Sequence, residues 1–398
     1  MAEPDLRDVL IVGGGPAGLN AALVLGRARR QVLLVDSGRP RNAVSRGVHG
    51  FLGHDGILPH DLRRLGREQL APLPGVELRE GEVVDAWREE DGSFGARLAD
   101  GSRFSARKLL LATGLVEELP RIPGIEPLWG HAVFDCPYCD GFEVRDQPLA
   151  ALSSGKPGVE LALELTLWSR DLVLLTNGPS GLDARARNRL ARHGIALREE
   201  PIARLEDGGA EAPVLIRFGG GDVLRRAGIL ISPCARRGQP DLAARLGCAP
   251  EGRGPVRTGK RETTGVPGLY VAGDASRRLQ FAVVAAAEGA MAGFAINTEL
   301  LREDLGARER AAPPPPRRGR AKEREMASGK TAEDRPLPRH DPGDAAPKGV
   351  PGTPSPAAGR DPGDAVPEGV APEEPPPPPS PDDQKVLEQL RHLPERRR

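Results

Sequence analysis

The sequence predicts an α/β protein with two doubly wound domains and a disordered C-terminal tail. Three observations predict it. Between residues 9 and 36 an apolar run, a glycine-rich turn, a helical stretch and a second apolar run follow one another. The same pattern restarts near residue 149, and two βαβ starts mark two parallel sheets. Finally, 21 of the 41 prolines lie beyond residue 300, and no Phe, Trp or Tyr follows Phe294. A stretch so poor in large apolar side chains builds no core.

Composition narrows the function. The 398 residues carry 56 basic and 56 acidic side chains, so no charge excess points to a nucleic acid or a membrane surface. The most apolar stretch, 281–296, is too short for a membrane span and contains Glu288. The first apolar run passes straight into glycines without a cleavage site, so a cytoplasmic location is expected. Four cysteines in that setting point to catalysis or metal binding rather than structural disulfides.

The elements follow in chain order. Residues 9–12 read as a buried strand, 17–26 as a helix and 31–35 as a second strand ending at Asp36. Between the first two lies Gly13-Gly14-Gly15-Pro16-Ala17-Gly18. Gly13 permits a tight turn, Gly15 lets the backbone approach a pyrophosphate, and Gly18 lets the helix settle on the strand. The helix N-terminus then faces the phosphates, and Asp36 is placed to accept hydrogen bonds from a ribose. This is a dinucleotide-binding (Rossmann) pattern that does not by itself separate FAD from NAD. Residues 37–70 read as loop. His49 and His54 within it are expected to face solvent or line a cofactor, with no metal site. Residues 108–112 form another buried strand, stopped by Thr113-Gly114.

Cys136-Pro137-Tyr138-Cys139 precedes Asp140-Gly141. Thiols at i and i+3 close a disulfide within one turn and cycle between dithiol and disulfide. A zinc site needs two more ligands of compatible spacing, whereas Cys234 and Cys248 form no second such pair and read as small core residues. Asp140 is either a proton donor for the exchange or a plain surface acid. Residues 149–152 then read as a strand, 153–158 as a loop, 159–168 as a helix and 172–176 as the next strand. Residues 268–274 form a strand ending at Gly273-Asp274, and a small-residue helix covers 282–301. The tail repeats 341–350 at 361–370 and ends with apolar residues at helical spacing, read as a fraying segment.

Taken together, Gly13 to Gly18, Ala112-Thr113-Gly114, Cys136-Pro-Tyr-Cys-Asp-Gly and Val271-Ala-Gly-Asp resemble the low-molecular-weight thioredoxin reductase family, over about residues 7–301. The resemblance implies FAD and a nucleotide domain inserted into the flavin domain. Residues 1–142 and 252–302 would bind FAD, 143–251 would be the insert, and 303–398 the tail. Gly13, Gly15, Ala17, Gly18, Asp36, Thr113, Gly114, Gly273, Asp274, Gln280, Phe281 and Ala282 would meet the flavin dinucleotide. Gly155 and Gly158 would meet NADPH. Cys139 would exchange electrons with the flavin, Cys136 would attack the partner disulfide, and Asp140 would be the general acid. The family also implies a homodimer whose inserted domain turns between two orientations.

The sequence departs from the family in the insert. Its loop reads Ser153-x-Gly155-x-x-Gly158, with Ser where the turn is tightest and Lys156 near the phosphates. After the next strand come Thr176-Asn177-Gly178-Pro179-Ser180 instead of a basic cluster, and the first arginines are Arg185 and Arg187. No acid stands at that strand end to select NADH. Gln280-Phe281-Ala282 replaces the family's Arg-Gln-Ala, and Pro-Tyr between the cysteines resembles a subgroup that includes dithiol oxidases. Three functions follow. One is a reductase passing electrons from NADPH through FAD to Cys136/Cys139 and a thioredoxin-like protein. Another is an oxygen-dependent oxidase of a small dithiol. The last is a non-catalytic flavin-binding sensor.

Overall fold

The computed structural model describes residues 6–209, 213–232, 235–238, 242–248, 256–276 and 279–311. Strand β1 (Leu6–Val12) leads through the glycine turn into α1 (Pro16–Arg27) and β2 (Val32–Asp36). Residues 37–70, read as loop, contain the helix α2 (Pro59–Leu70). Pro59 starts it, and Arg64 pairs with Asp61 and Glu68 along one face. Strands β3 (Val76–Glu80), β4 (Val83–Arg88), β5 (Phe94–Leu98) and β6 (Arg103–Leu111) follow.

β1 lies between β2 and β6, parallel to both, and β3 extends the sheet beyond β2. On its other edge β6 serves two partners: residues 103–106 pair with β5, and residues 109–111 with the last strand of the sheet. Side chains of β1 alternate between two cores. Val9 and Ile11 join α1 on one face, while Leu10 and Val12 meet Phe94, Ala96 and Leu98 on the other.

β7 (Leu115–Glu118) leads out of this sheet. β8 (Val133–Phe134), the short α3 (Pro137–Asp140), β9 (Leu149–Leu152), α4 (Gly155–Glu164), β10 (Leu172–Leu175), α5 (Ala184–Arg192) and β11 (Ala196–Arg198) come next. An antiparallel meander of β12 (Ile202–Asp207), β13 (Val214–Phe218) and β14 (Val223–Arg226) precedes β15 (Gly228–Ile231). The second sheet runs β11-β10-β9-β15-β8, all parallel. β16 (Ala235–Gly238) returns antiparallel to β7. The short α6 (Leu242–Arg245), β17 (Leu269–Val271) and α7 (Ala282–Ala311) close the chain. β17 joins the first sheet beside β6.

These pairings move three expected boundaries. The insert was expected to begin at 143, yet β8 belongs to its sheet, and Ile122, Ile125 and Leu128 belong to its core. Cys136 and Cys139 lie between two strands of that second sheet, β8 and β9. The insert's expected end at 251 also moves, because Leu242, Leu246 and Cys248 lie in the first domain's core. β7 and β16 form a separate antiparallel pair. Third, the tail was expected from 303, but α7 continues to Ala311. Arg30 holds Asp304 at 2.6 Å, Lys108 holds Glu299 and Glu303 at 2.5 and 2.6 Å, and Leu300 is fully buried. The sequence beyond 311, with its repeat and terminal apolar residues, lies outside the described residues, as does Cys234.

Candidate functional site

The glycine turn has the geometry its spacing predicts. Gly13 has φ +110°, and a Cβ there would stand 2.3 Å from the carbonyl oxygen of Ala112. A Cβ on Gly18 would stand 1.9 Å from the Gly13 oxygen, so α1 sits directly on the turn. Above Gly15, by contrast, nothing lies within 4 Å of a Cβ position. Gly15 is the N-cap of α1, with no capping side chain and no acid in the first turn. Its free N–H groups and open space form a cradle for a pyrophosphate, which FAD fits. Gly114 borders similar open space. Ala17 is buried against Gly273 and the backbone approach of Gly289, so it packs α1 on α7 and offers a ligand only its backbone.

Asp36 sits where expected, but its carboxylate is not free. Arg63 and Arg67, one turn apart on α2, donate to Oδ2 at 2.5 and 2.6 Å, and the Gly38 N–H donates to Oδ1. Burial alone raises this carboxyl. The Gly38 N–H and the two guanidinium groups outweigh it and hold Asp36 below its ordinary value. Arg63 also donates to the Gly14 oxygen, joining the turn to the acid.

Just after β17 of the first sheet, Gly273 donates its N–H to the buried Glu288 at 2.8 Å. Asp274 accepts from Arg41 Nε at 2.9 Å, and Arg41 Nη2 reaches the Gln280 carbonyl at 3.4 Å. Gln280 and Phe281 are half-buried just ahead of α7, which begins at Ala282.

Cys136 and Cys139 are joined as a disulfide. Cys136 is the extended N-cap of α3, Pro137 opens the turn, and Cys139 donates its N–H to the Cys136 oxygen at 3.1 Å. Gly141 lies under the Trp168 indole, and Tyr138 stacks edge-on to that ring at 5.4 Å. A cleft of about 310 Å³ opens beside the pair, with Arg41, Asp135, Cys136, Tyr138, Glu160 and Phe281 in its wall. Burial, aided by the charges of Asp135 and Glu143 and opposed by His49 and Arg41, pushes the Asp140 carboxyl up to about 7. His49 stands 3.6 Å from Glu143 and 3.7 Å from Asp55.

The second loop differs from the first. A Cβ on Gly158 would meet the Ser153 oxygen at 2.9 Å, a looser approach than the 1.9 Å of Gly18 on Gly13. Gly155 starts α4 at φ +60°. The Ser153 hydroxyl, however, is buried without a hydrogen-bond partner in the structure. Lys156 points to solvent beside Glu160.

The end of β10 carries no acid of its own, as expected, but one reaches it from the neighbouring strand. Glu199, arriving from β11, accepts both terminal nitrogens of Arg187 at 2.8 Å and the Ser180 N–H at 2.9 Å. The Arg187 and Ser180 hydrogen bonds pull its carboxyl down to about 2. Arg185 is exposed.

Sequence reasoning missed Arg41, Arg63, Arg67, Glu117, Asp135 and Glu199. Only Arg63 and Arg67 left a signal, their i,i+4 spacing; the others meet their partners through long-range folding.

Comparison with known proteins agrees with this arrangement. Thioredoxin reductase tcpT of Claviceps purpurea is 32% identical over 312 residues, 76% of this chain and 96% of its own. Thioredoxin reductase aclD of Aspergillus oryzae is 30% identical, over 75% of this chain and 98% of its own. Among solved structures, HlmI is 37% identical with a TM-score of 0.74, covering 78% of this chain and 98% of its own. The putative thioredoxin reductase TrxB of Bacillus anthracis is 34% identical with a TM-score of 0.71, covering 75% and 99%. The family model described as pyridine nucleotide-disulphide oxidoreductase matches residues 7–289, and to that family the chain belongs.

Proposed function

We propose that the chain is an FAD-dependent dithiol/disulfide oxidoreductase that exchanges electrons between the flavin and a partner through Cys136 and Cys139. The carrying observation is a disulfide whose Cys136 lines a cleft that also holds Gln280 and Phe281, beside a carboxyl raised to about 7. FAD would lie from the Gly13–Gly18 turn past Thr113 and Gly114 to Asp274 and Gln280–Ala282. When bound, it supplies a two-electron acceptor and donor.

The chain's own residues do the rest. Reducing the pair takes two electrons and two protons and yields two thiols. Asp140 takes the Cys136 proton, and the thiolate attacks the partner disulfide, forming a mixed disulfide as the partner S–S bond breaks and one partner thiolate leaves. Asp140, now protonated, passes that proton to the leaving thiolate. Cys139, on the flavin side, then attacks Cys136 Sγ and reforms the pair, its own proton going to the second partner sulfur, which leaves as a thiol.

Two partners fit this site, a thioredoxin-like protein and a small dithiol or disulfide. With NADPH as donor, the enzyme is a reductase acting as a homodimer. A second reading, the oxygen-dependent dithiol oxidase, is favoured by the Arg187–Glu199 pair. A 2′-phosphate would have to displace a carboxylate that already holds the guanidinium by two bonds. Cytoplasmic location remains part of the proposal; among the described residues no helix is long and apolar enough to cross a membrane.

Anaerobic absorbance separates these readings. A yellow preparation bleached by NADPH supports the reductase. Bleaching by dithiothreitol but not NADPH, with peroxide release on admitting air, supports the oxidase. A colourless preparation that binds no added FAD overturns both.

A further inference from the structure

Arg41 follows β2 in a short turn, and no motif singles it out. Its guanidinium nevertheless meets four groups from three distant segments. Nε donates to Asp274 at 2.9 Å and Nη2 to the Gln280 carbonyl at 3.4 Å, both in the flavin half. Nη1 donates to Glu117 on β7 at 2.5 Å, where the chain leaves for the insert, and to Asp135 at 3.3 Å. Asp135 is the residue before Cys136, and Arg41, Asp135 and Cys136 share the wall of one cleft.

We propose that Arg41 is a positioning residue for the redox pair, tying the residue that precedes Cys136 to the flavin half of the molecule. This rests on the flavin–dithiol reading. Only a planar fork of several donors spans this set, since Asp274 and Gln280 are met by Nε and Nη2 while Glu117 and Asp135 share Nη1. Burial alone lowers this guanidinium. The charges of Asp274, Glu117 and Asp135 outweigh it and hold the proton firmly, so the tie does not titrate away at neutral pH. The chain gains a fixed distance between the sulfurs and the flavin segment, and transfer between oriented groups is steeply sensitive to such placement. Turning the insert would break the Asp135 arm while leaving the Asp274 arm in place.

The test uses the full chain with FAD bound. Arg41→Met and Asp135→Ala each remove the tie, and Arg41→Lys keeps the charge without the fork. FAD content, photoreduction of the flavin and anaerobic bleaching by dithiothreitol are measured for each. The expected result is retained FAD and unchanged photoreduction, with bleaching slowed about tenfold or more in the first two variants. Arg41→Lys should recover part of the rate. Bleaching within about twofold of the parent in both tie-breaking variants overturns the proposal. So does Arg41→Lys being no better than Arg41→Met. Should Arg41→Met fail to fold, Asp135→Ala decides alone. Should the parent flavin resist dithiothreitol altogether, the dithiol reading falls. The tie is then judged by alkylation of the chemically reduced Cys136 with iodoacetamide: faster in the variants upholds it, equal rates overturn it.

Discussion

Asp140 shows how a single side chain acquires chemistry from its surroundings. Its sequence position left it between proton donor and surface acid, and only burial beside Asp135 and Glu143 distinguishes the two. A carboxyl near 7 is half protonated at neutral pH, where a general acid is most effective. The same shift affects stability. Between the ordinary value of 3.8 and about 7 the folded chain holds a proton that the unfolded chain has lost. Stability from this group is therefore complete below about pH 4 and declines as pH rises to about 7. Asp140→Asn should remove that decline, so urea titrations from pH 4 to 8 should show the variant gaining on the parent as pH increases. Its turnover should fall about 10²- to 10⁴-fold, and the inflection near pH 7 in the rate profile should disappear.

At the level of elements, α1 and α7 hold the flavin half together through small residues. A Cβ on Gly289 would stand 2.0 Å from the Ala17 oxygen, a backbone atom that cannot swing aside. A Cβ on Gly293 would stand less tightly, 3.1 Å from the Ala21 oxygen and 3.2 Å from the Val24 side chain. Gly289→Ala should push α7 outward, lowering stability by about 1–3 kcal/mol. Because α1 carries the phosphate cradle, FAD affinity should weaken as well, which fluorescence titration of the apoprotein reads directly. A variant with unchanged melting temperature and FAD affinity would contradict this packing. Local elements were legible where pattern and burial agree: β9 at Leu149–Leu152 was read correctly because all four residues are buried. Helix α2 was not, since its glycine-rich approach hid a polar helix whose inward face is arginine. The end of α7 was also missed. Its last turns are held by Arg30, Arg107 and Lys108, which lie far away in sequence.

For the whole molecule, the two-domain α/β architecture was legible because each βαβ unit announces itself locally. The place of β8 in the second sheet was not, because a strand of two residues carries almost no sequence pattern. Once β8 is counted, the insert has its own five-stranded sheet and two cores. One core faces the meander, around Ile125, Val214 and Ile229; the other lies under α4 and α5, around Leu149, Leu174 and Leu230. β7 and β16 pair separately from that sheet. A segment of about 110 residues with a five-stranded sheet and a core on each face is large enough to fold alone. Residues 119–232, expressed by themselves, should therefore melt cooperatively by circular dichroism and form the Cys136–Cys139 disulfide on mild oxidation. The same fragment should stay colourless with FAD, because Gly13, Gly15 and Gly114 remain behind. A fragment that fails to fold would mean the insert depends on its host, and one that binds FAD would move the flavin site out of the first domain.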